Sequence, residues 1–370
     1  MRGMFTTLII MGAIWTGGLV WSVFGGLVLV PQSAVTVGGA RVAAPPAVQS
    51  PAQAAASQAV AAQAQSKPVV QVAPQPAANG QAMAGHDMAA HDVSHAASVP
   101  TATKGNTLLD PKLVDGVKVF ELTASVVQWE VAPGEFVEAY AYNGQVPGPL
   151  LRVTEGDKIR INLRNELAEP TVLHIHGPRL PNSQDGVPDV TQPVIQPGSS
   201  FAYEFTVEPS GTFMYHTHHN SVVQESKGLY GILQVDPKGF KPTYDKEYFQ
   251  VISELSGFYV INGKSFPSTE PMDMKVGEKA RIHLVNLGQM VHPMHSHGFA
   301  TKVVATDGYP VPEAAQLTKD TVSIGPGERY DLEFTADRPG AWVYHCHILS
   351  HVQNKGVEPG GMISVIKVTE

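Results

Sequence analysis

A single cysteine stands among the 370 residues. No intrachain disulfide can therefore hold the chain together, and cysteine pairing says nothing of its redox compartment. Charge is also scarce: Asp, Glu, Lys and Arg make up 16% of the residues, and the formal net charge is −8. No basic run is present, so nothing in the charge pattern calls for a nucleic-acid partner. The body of the chain shows no long helical stripe of apolar residues, and its short runs point to β structure.

Histidine, by contrast, is abundant and clustered. Four clusters, His174-Ile-His176-Gly, His216-Thr-His218, His292-Pro-Met-His295-Ser-His297-Gly and His345-Cys346-His347, hold nine of the 15 histidines, and His351 follows four residues after the last. The only cysteine thus lies between two histidines. That placement suits a copper thiolate linked to a second metal site through both neighbours. His219 and His283 stand outside this pattern and read as satisfied core or surface residues.

The N-terminal part is of a different kind. Met4 to Val30 is an uncharged, apolar run of 27 residues preceded by Arg2. It is long enough to span a bilayer. An uncleaved anchor with an exported body is expected over a cleaved signal peptide, for which Gly38-Gly39-Ala40 lies too far downstream. Residues 31–107 are Ala/Pro/Gln-rich and too poor in aromatics to offset their ordering entropy, so they read as a disordered linker. Met83, His86, Met88, His91 and His95 within it offer thioether and imidazole groups that suit copper. Biased linker composition accounts for them equally well.

From Leu108 onward, short β-branched and aromatic runs with period-two alternation are separated by Gly, Pro and Asn. This pattern predicts an all-β sandwich fold. The body also repeats. Glu155-Gly-Asp-Lys-Ile-Arg-Ile-Asn-Leu resembles Val276-Gly-Glu-Lys-Ala-Arg-Ile-His-Leu, and Gly211-Thr-Phe-Met-Tyr-His resembles Gly340-Ala-Trp-Val-Tyr-His. Eighteen residues separate Gly156 from His174, Gly277 from His295, Gly198 from His216 and Gly327 from His345. Two homologous sandwiches are expected, at 108–237 and 238–370. His174, His176, His216 and His218 then match His295, His297, His345 and His347. Thr171, Thr217 and Val222 stand where the second copy has His292, Cys346 and His351.

In a strand, residues i and i+2 share a face. Each His-X-His pair can offer two imidazoles to one cluster, while Cys346 turns to the interior of its own domain. One thiolate, two imidazoles and a weak axial Met make a blue-copper electron-transfer site. His292, Cys346 and His351 supply three of these ligands, and Met362 is the axial candidate. The four His-X-His pairs remain for a larger site.

The histidine clusters, together with Asp185-Gly-Val-Pro, Thr191-Gln and Tyr215-His, resemble the two-domain branch of the laccase-like multicopper oxidases over the body from about residue 115. The resemblance implies two cupredoxin-like Greek-key β-sandwich domains. It implies type 1 copper on His292, Cys346, His351 and Met362, and type 2 copper on His174 and His295. The type 3 pair falls to His176, His216, His218, His297, His345 and His347. It further implies oxidation of phenols, aromatic amines or metal ions such as Cu(I), with Cys346, His345 and His347 carrying electrons and dioxygen reduced to water. Asp185 matches an acid that supplies protons, and substrate choice is expected at the His351 and His292 edges. A homotrimer would build each trinuclear site from domain 1 of one chain and domain 2 of the next. Two features depart from the family pattern: a long spacer between His351 and Met362, and Leu349, Ser350 and Val352 where an acidic residue often stands. The rivals are a copper nitrite reductase, which would carry the Cys in domain 1, and a non-catalytic copper carrier. Met290 and Met294 are expected to pack, as are Trp342 and Tyr344.

Overall fold

The computed structural model describes residues 101–370. The apolar segment 4–30, the linker up to residue 100 and the Met/His cluster lie outside the described residues. Among the described residues, no helix is long and apolar enough to cross a membrane.

The described residues form four sheets, which pair into two sandwiches. In the first sandwich, one five-stranded sheet runs in the order Leu108–Leu109, Leu150–Thr154, Tyr230–Asp236, Gly211–His216, His174–His176. The other runs Lys112–Val114, Val117–Ala132, Lys158–Asn165, Ser200–Thr206, with Glu135–Tyr142 paired on Val117–Ala132. Alternation explains the facing of each strand. In Lys158–Asn165, Ile159, Ile161 and Leu163 are fully buried while Lys158, Arg160 and Asn162 turn outward.

The second sandwich repeats the plan. Its five-stranded sheet runs Met272–Lys275, Ile363–Thr369, Gly340–Cys346, His292–Ser296, Thr321–Ile324. The facing seven-stranded sheet is centred on Lys246–Leu255, Lys279–Asn286 and Arg329–Thr335.

Lys279–Asn286 departs from alternation, because Ile282, His283, Leu284, Val285 and Asn286 are all buried. One face packs on its own core. The other is covered by the first sandwich through an apolar cluster of Trp129, Val131, Met214, Tyr230 and Ile232 against Val251, Leu255, Val260, Val285 and Leu287. Polar ties reinforce that seam. Trp129 Nε1 donates to the Gly263 carbonyl at 2.6 Å, and Tyr230 Oη lies 2.6 Å from Ser253 Oγ.

Candidate metal centres

Two neighbouring strands in each five-stranded sheet carry the histidines, and their register is the same in both copies. His174 lies directly opposite His216, and His295 directly opposite His345. Alternation sends the imidazoles outward. Thr217 and Cys346, one residue further along, are fully buried.

In the first sandwich, ligand nitrogens of His174, His176 and His216 converge within 4.8 Å of one another. The His174 and His218 rings are 5.6 Å apart. In the second, His297 Nε2 lies 3.1 Å from His345 Nε2, and the His295 and His347 rings are 5.6 Å apart. Among the described residues, every histidine ring pair of the two quartets stays within its own domain.

The quartets have the marks of metal ligands. In four of the rings Nδ1 faces a backbone carbonyl: His174 that of Asp185 (2.6 Å), His216 that of Thr217 (2.8 Å), His295 that of Asp320 (3.0 Å) and His345 that of Cys346 (2.8 Å). Such a contact fixes the tautomer and leaves Nε2 free for a cation. Burial lowers the pKa of His174 and His345. Burial and the nearby Arg329 guanidinium push His176 down to about 3. Neutral imidazole is the form that binds metal. Asp185 holds its carboxylate Oδ1 3.6 Å from His174 Nδ1, beside the carbonyl contact. Glu225, which carries no signal in the sequence, places Oε1 3.2 Å from His216 Nδ1.

The second centre is buried. His292 Nδ1 and His351 Nδ1 are 3.1 Å apart, and Cys346 Sγ lies 3.8 Å and 3.5 Å from them. Ligand atoms held at ~2.0–2.3 Å around one ion in a trigonal plane stand roughly 3.5–3.8 Å apart, so the set fits a metal with modest adjustment. Burial pushes the Cys346 thiol up to about 11, which makes it inert as a free nucleophile. Met362 is fully buried in the same core, and its carbonyl accepts from the Cys346 amide at 3.1 Å. The long spacer folds back on itself. Asn354 and Val357 exchange backbone hydrogen bonds, Gly360 N donates to the Val352 carbonyl at 2.9 Å, and Met362 N donates to the His351 carbonyl at 2.8 Å.

Two residues absent from the sequence reading complete this centre. Glu254 Oε1 lies 2.7 Å from His292 Nε2, and the Tyr259 ring stacks on His351 at 4.0 Å. Burial raises the Glu254 pKa, but the hydrogen bonds from His292 and the Gln289 amide outweigh it and hold the carboxyl below its ordinary value. His292 and His351 are 0% and 1% exposed, so neither imidazole offers an open face to solvent. Of the flanking methionines, Met294 is packed, but Met290 is 41% exposed.

The first sandwich has no such centre. At the equivalent place Thr171 Oγ1, Thr217 Oγ1 and Gln224 Oε1 lie 2.8–3.2 Å from one another, a closed polar plug.

Multicopper oxidase family models match residues 123–239 and 240–357. The chain belongs to the multicopper oxidases. It is similar to the blue copper oxidase of Nitrosomonas europaea, with 34% identity and a TM-score of 0.65 over 68% of this chain and 86% of that one. It is also similar to the copper nitrite reductase of that organism, with 25% identity and a TM-score of 0.60 over 69% and 94%. Copper resistance protein A of Escherichia coli is 38% identical over 136 residues, 36% of this chain and 22% of that protein. A probable nitrite reductase-hydroxylamine oxidoreductase fusion protein of Kuenenia stuttgartiensis is 31% identical over 287 residues, 69% of this chain and 32% of that protein. The chain thus spans a third or less of these two curated relatives. Membership of this family supports a copper-dependent oxidoreductase.

Proposed function

We propose that this multicopper oxidase is laccase-like: it removes electrons singly from a small reductant and uses four of them to reduce dioxygen to two waters. Bound copper would supply that redox chemistry, as a type 1 ion on His292, Cys346, His351 and Met362, a type 2 ion on His174 and His295, and a type 3 pair on the remaining six paired histidines. The observation that carries the reading is the strand Gly340–Cys346 and its next residue. Cys346 points into the buried centre while its peptide neighbours His345 and His347 point out to the other, so one backbone segment joins the two.

The side chains divide the remaining work. Backbone carbonyls orient the imidazoles, and Arg329 helps keep His176 neutral. The Asp185 carboxylate, part exposed and beside His174, is placed to pass protons inward from solvent. Each quartet alone offers half of the eight imidazoles, and His218, His297 and His347 are exposed. This supports a homotrimer in which the domain 1 quartet of one chain meets the domain 2 quartet of the next. The apolar run Met4 to Val30 supports export of the body from the cytoplasm. The Thr171–Thr217–Gln224 plug argues against the nitrite reductase arrangement, which needs a Cys in domain 1.

The test is oxygen uptake by the copper-loaded full chain with a phenol, Cu(I) and Mn(II) in turn, alongside copper content and light scattering. Uptake with an intense blue absorption and a trimeric mass is expected, and Asp185→Asn should slow uptake at unchanged copper content. A copper-loaded protein inert toward dioxygen would be a carrier instead. A monomer with full trinuclear copper would rule out the shared site.

A further inference from the structure

The buried type 1 candidate is reached through one rung of a β-hairpin. Strands Lys246–Leu255 and Phe258–Ile261 pair with Glu254 directly opposite Tyr259. Cross-strand neighbours of this kind stand on one face of the sheet. Glu254 touches one imidazole of the centre and Tyr259 covers the other, at an interplanar angle of 19°. A reductant outside the protein therefore meets Tyr259 before any imidazole.

Over Tyr259 lies a cavity of about 380 Å³, lined by Ser256, Phe258, Tyr259, Ser350, Gln353 and Lys355 with two glycines. This size is within the range of small-molecule sites. Its chemistry is specific: two aromatic rings, hydroxyl and amide groups, and no acidic residue in the lining. Its one cation, Lys355, is paired with Glu135 at 2.6 Å. Glu254 is committed as well, since Oε1 contacts His292 and Oε2 accepts from the Gln289 amide at 2.6 Å. A hard cation finds no free carboxylate here and a cuprous ion no Cys, His or Met in the lining, whereas a flat hydroxyarene finds rings to stack on and polar groups for its hydroxyls.

We propose that Tyr259 is the point at which electrons enter: a phenolic reductant docks in this cavity against Phe258 and Tyr259 and passes its electron across the Tyr259 ring to His351. The proposal rests on the reading of His292, Cys346 and His351 as the electron-accepting centre, and it selects phenols over metal ions as substrates. Each phenol loses one electron and its hydroxyl proton to become a phenoxyl radical, the proton leaving to solvent. Four such oxidations balance the four electrons and four protons that turn one dioxygen into two waters.

Three variants of the full chain test it: Ser350→Trp, which fills the cavity from an exposed position, Tyr259→Leu and Tyr259→Phe. In the copper-loaded protein, Ser350→Trp and Tyr259→Leu should each lower kcat/KM for 2,6-dimethoxyphenol about tenfold or more, Tyr259→Phe, which keeps the ring, should recover most of that loss, and Ser350→Trp should leave the small outer-sphere donor hexacyanoferrate(II) within about threefold. The blue absorption should persist, showing the centre intact. In the copper-free protein, calorimetry should detect 4-cyanophenol, which resists oxidation, and Ser350→Trp should weaken its binding about tenfold or more. Unchanged phenol kinetics and unchanged 4-cyanophenol binding in Ser350→Trp would overturn the proposal, as would an equal loss toward Cu(I). Failure of every donor to drive oxygen uptake would instead defeat the oxidase reading, with cavity binding still measurable on its own.

Discussion

A glycine that offers no ligand atom controls the geometry of the buried centre. Gly361 sits at φ +63°, and a Cβ there would lie 2.0 Å from the His351 carbonyl oxygen. Its amide also donates to Ser265 Oγ at 2.9 Å and Asn354 Oδ1 at 3.0 Å, so the chain has no slack in which to move. Gly361→Ala must therefore shift His351 or Met362. We expect a loss of at least about 2 kcal/mol, together with loss or displacement of the blue absorption. Gly356, in the same loop at φ +81°, has nothing within 4 Å of its Cβ position. Gly356→Ala should cost only about 1 kcal/mol and leave the spectrum alone. Equal spectra in the two variants, followed by absorption and thermal melting, would show that Gly361 does not set the ligand geometry.

Elements show how far the sequence could be read. Period-two alternation placed the outward histidines and the inward cysteine, and the repeat showed that Thr171 and Thr217 replace ligands in the first sandwich. The repeat could not say what fills the gap. That is the work of the helix Ser221–Ser226, whose buried Gln224 closes the plug and whose Glu225 reaches His216. Glu254 and Tyr259 were illegible for a related reason: 38 residues separate Glu254 from His292, and only the hairpin rung brings the pair to the centre. The spacer before Met362 looked too long because its inner turn, Asn354 to Val357, is invisible to residue counting. Gln224→Leu should remove the acceptor both hydroxyls share and the donor to the Pro170 carbonyl, and cost about 1–3 kcal/mol in denaturant melts, with the blue absorption unchanged. A neutral effect on stability would mean that water or a neighbour satisfies those hydroxyls, and that the plug contributes nothing.

For the whole molecule, the seam between sandwiches carries a buried charge network. His283, 1% exposed, sets Nδ1 2.8 Å from Asp331 Oδ1 and Nε2 3.2 Å from Glu247 Oε1, and Thr212 of the first sandwich lies 2.8 Å away. Arg152, also of the first sandwich, clamps Glu247 at 2.6 Å and Asp236 at 2.7 Å. Burial alone would lower the His283 pKa, but Asp331 and Glu247 outweigh it and raise it to about 9. An unfolded histidine titrates near ~6.5. The folded form therefore holds a proton that the unfolded form gives up above that value. The stability this contributes is fully present below about pH 6.5 and is lost as pH rises through about 9. Between pH 6.5 and 8.5 the loss from His283 should be about 2 kcal/mol, worth roughly 5 °C in Tm, and it is read as parent minus variant because His174, His176, His345 and His351, held down by burial, gain stability over the same range. Above pH 8.5 the buried Cys346 thiol adds a loss of the same sign in copper-free protein, so the comparison stops there. His283→Gln should melt lower than the parent at pH 6.5, because the buried Asp331 then loses the cation at its side, and the gap between the two should narrow by pH 8.5. A parent-minus-variant gap in Tm that stays level from pH 6.5 to 8.5 would show that His283 is not the charged link between the sandwiches.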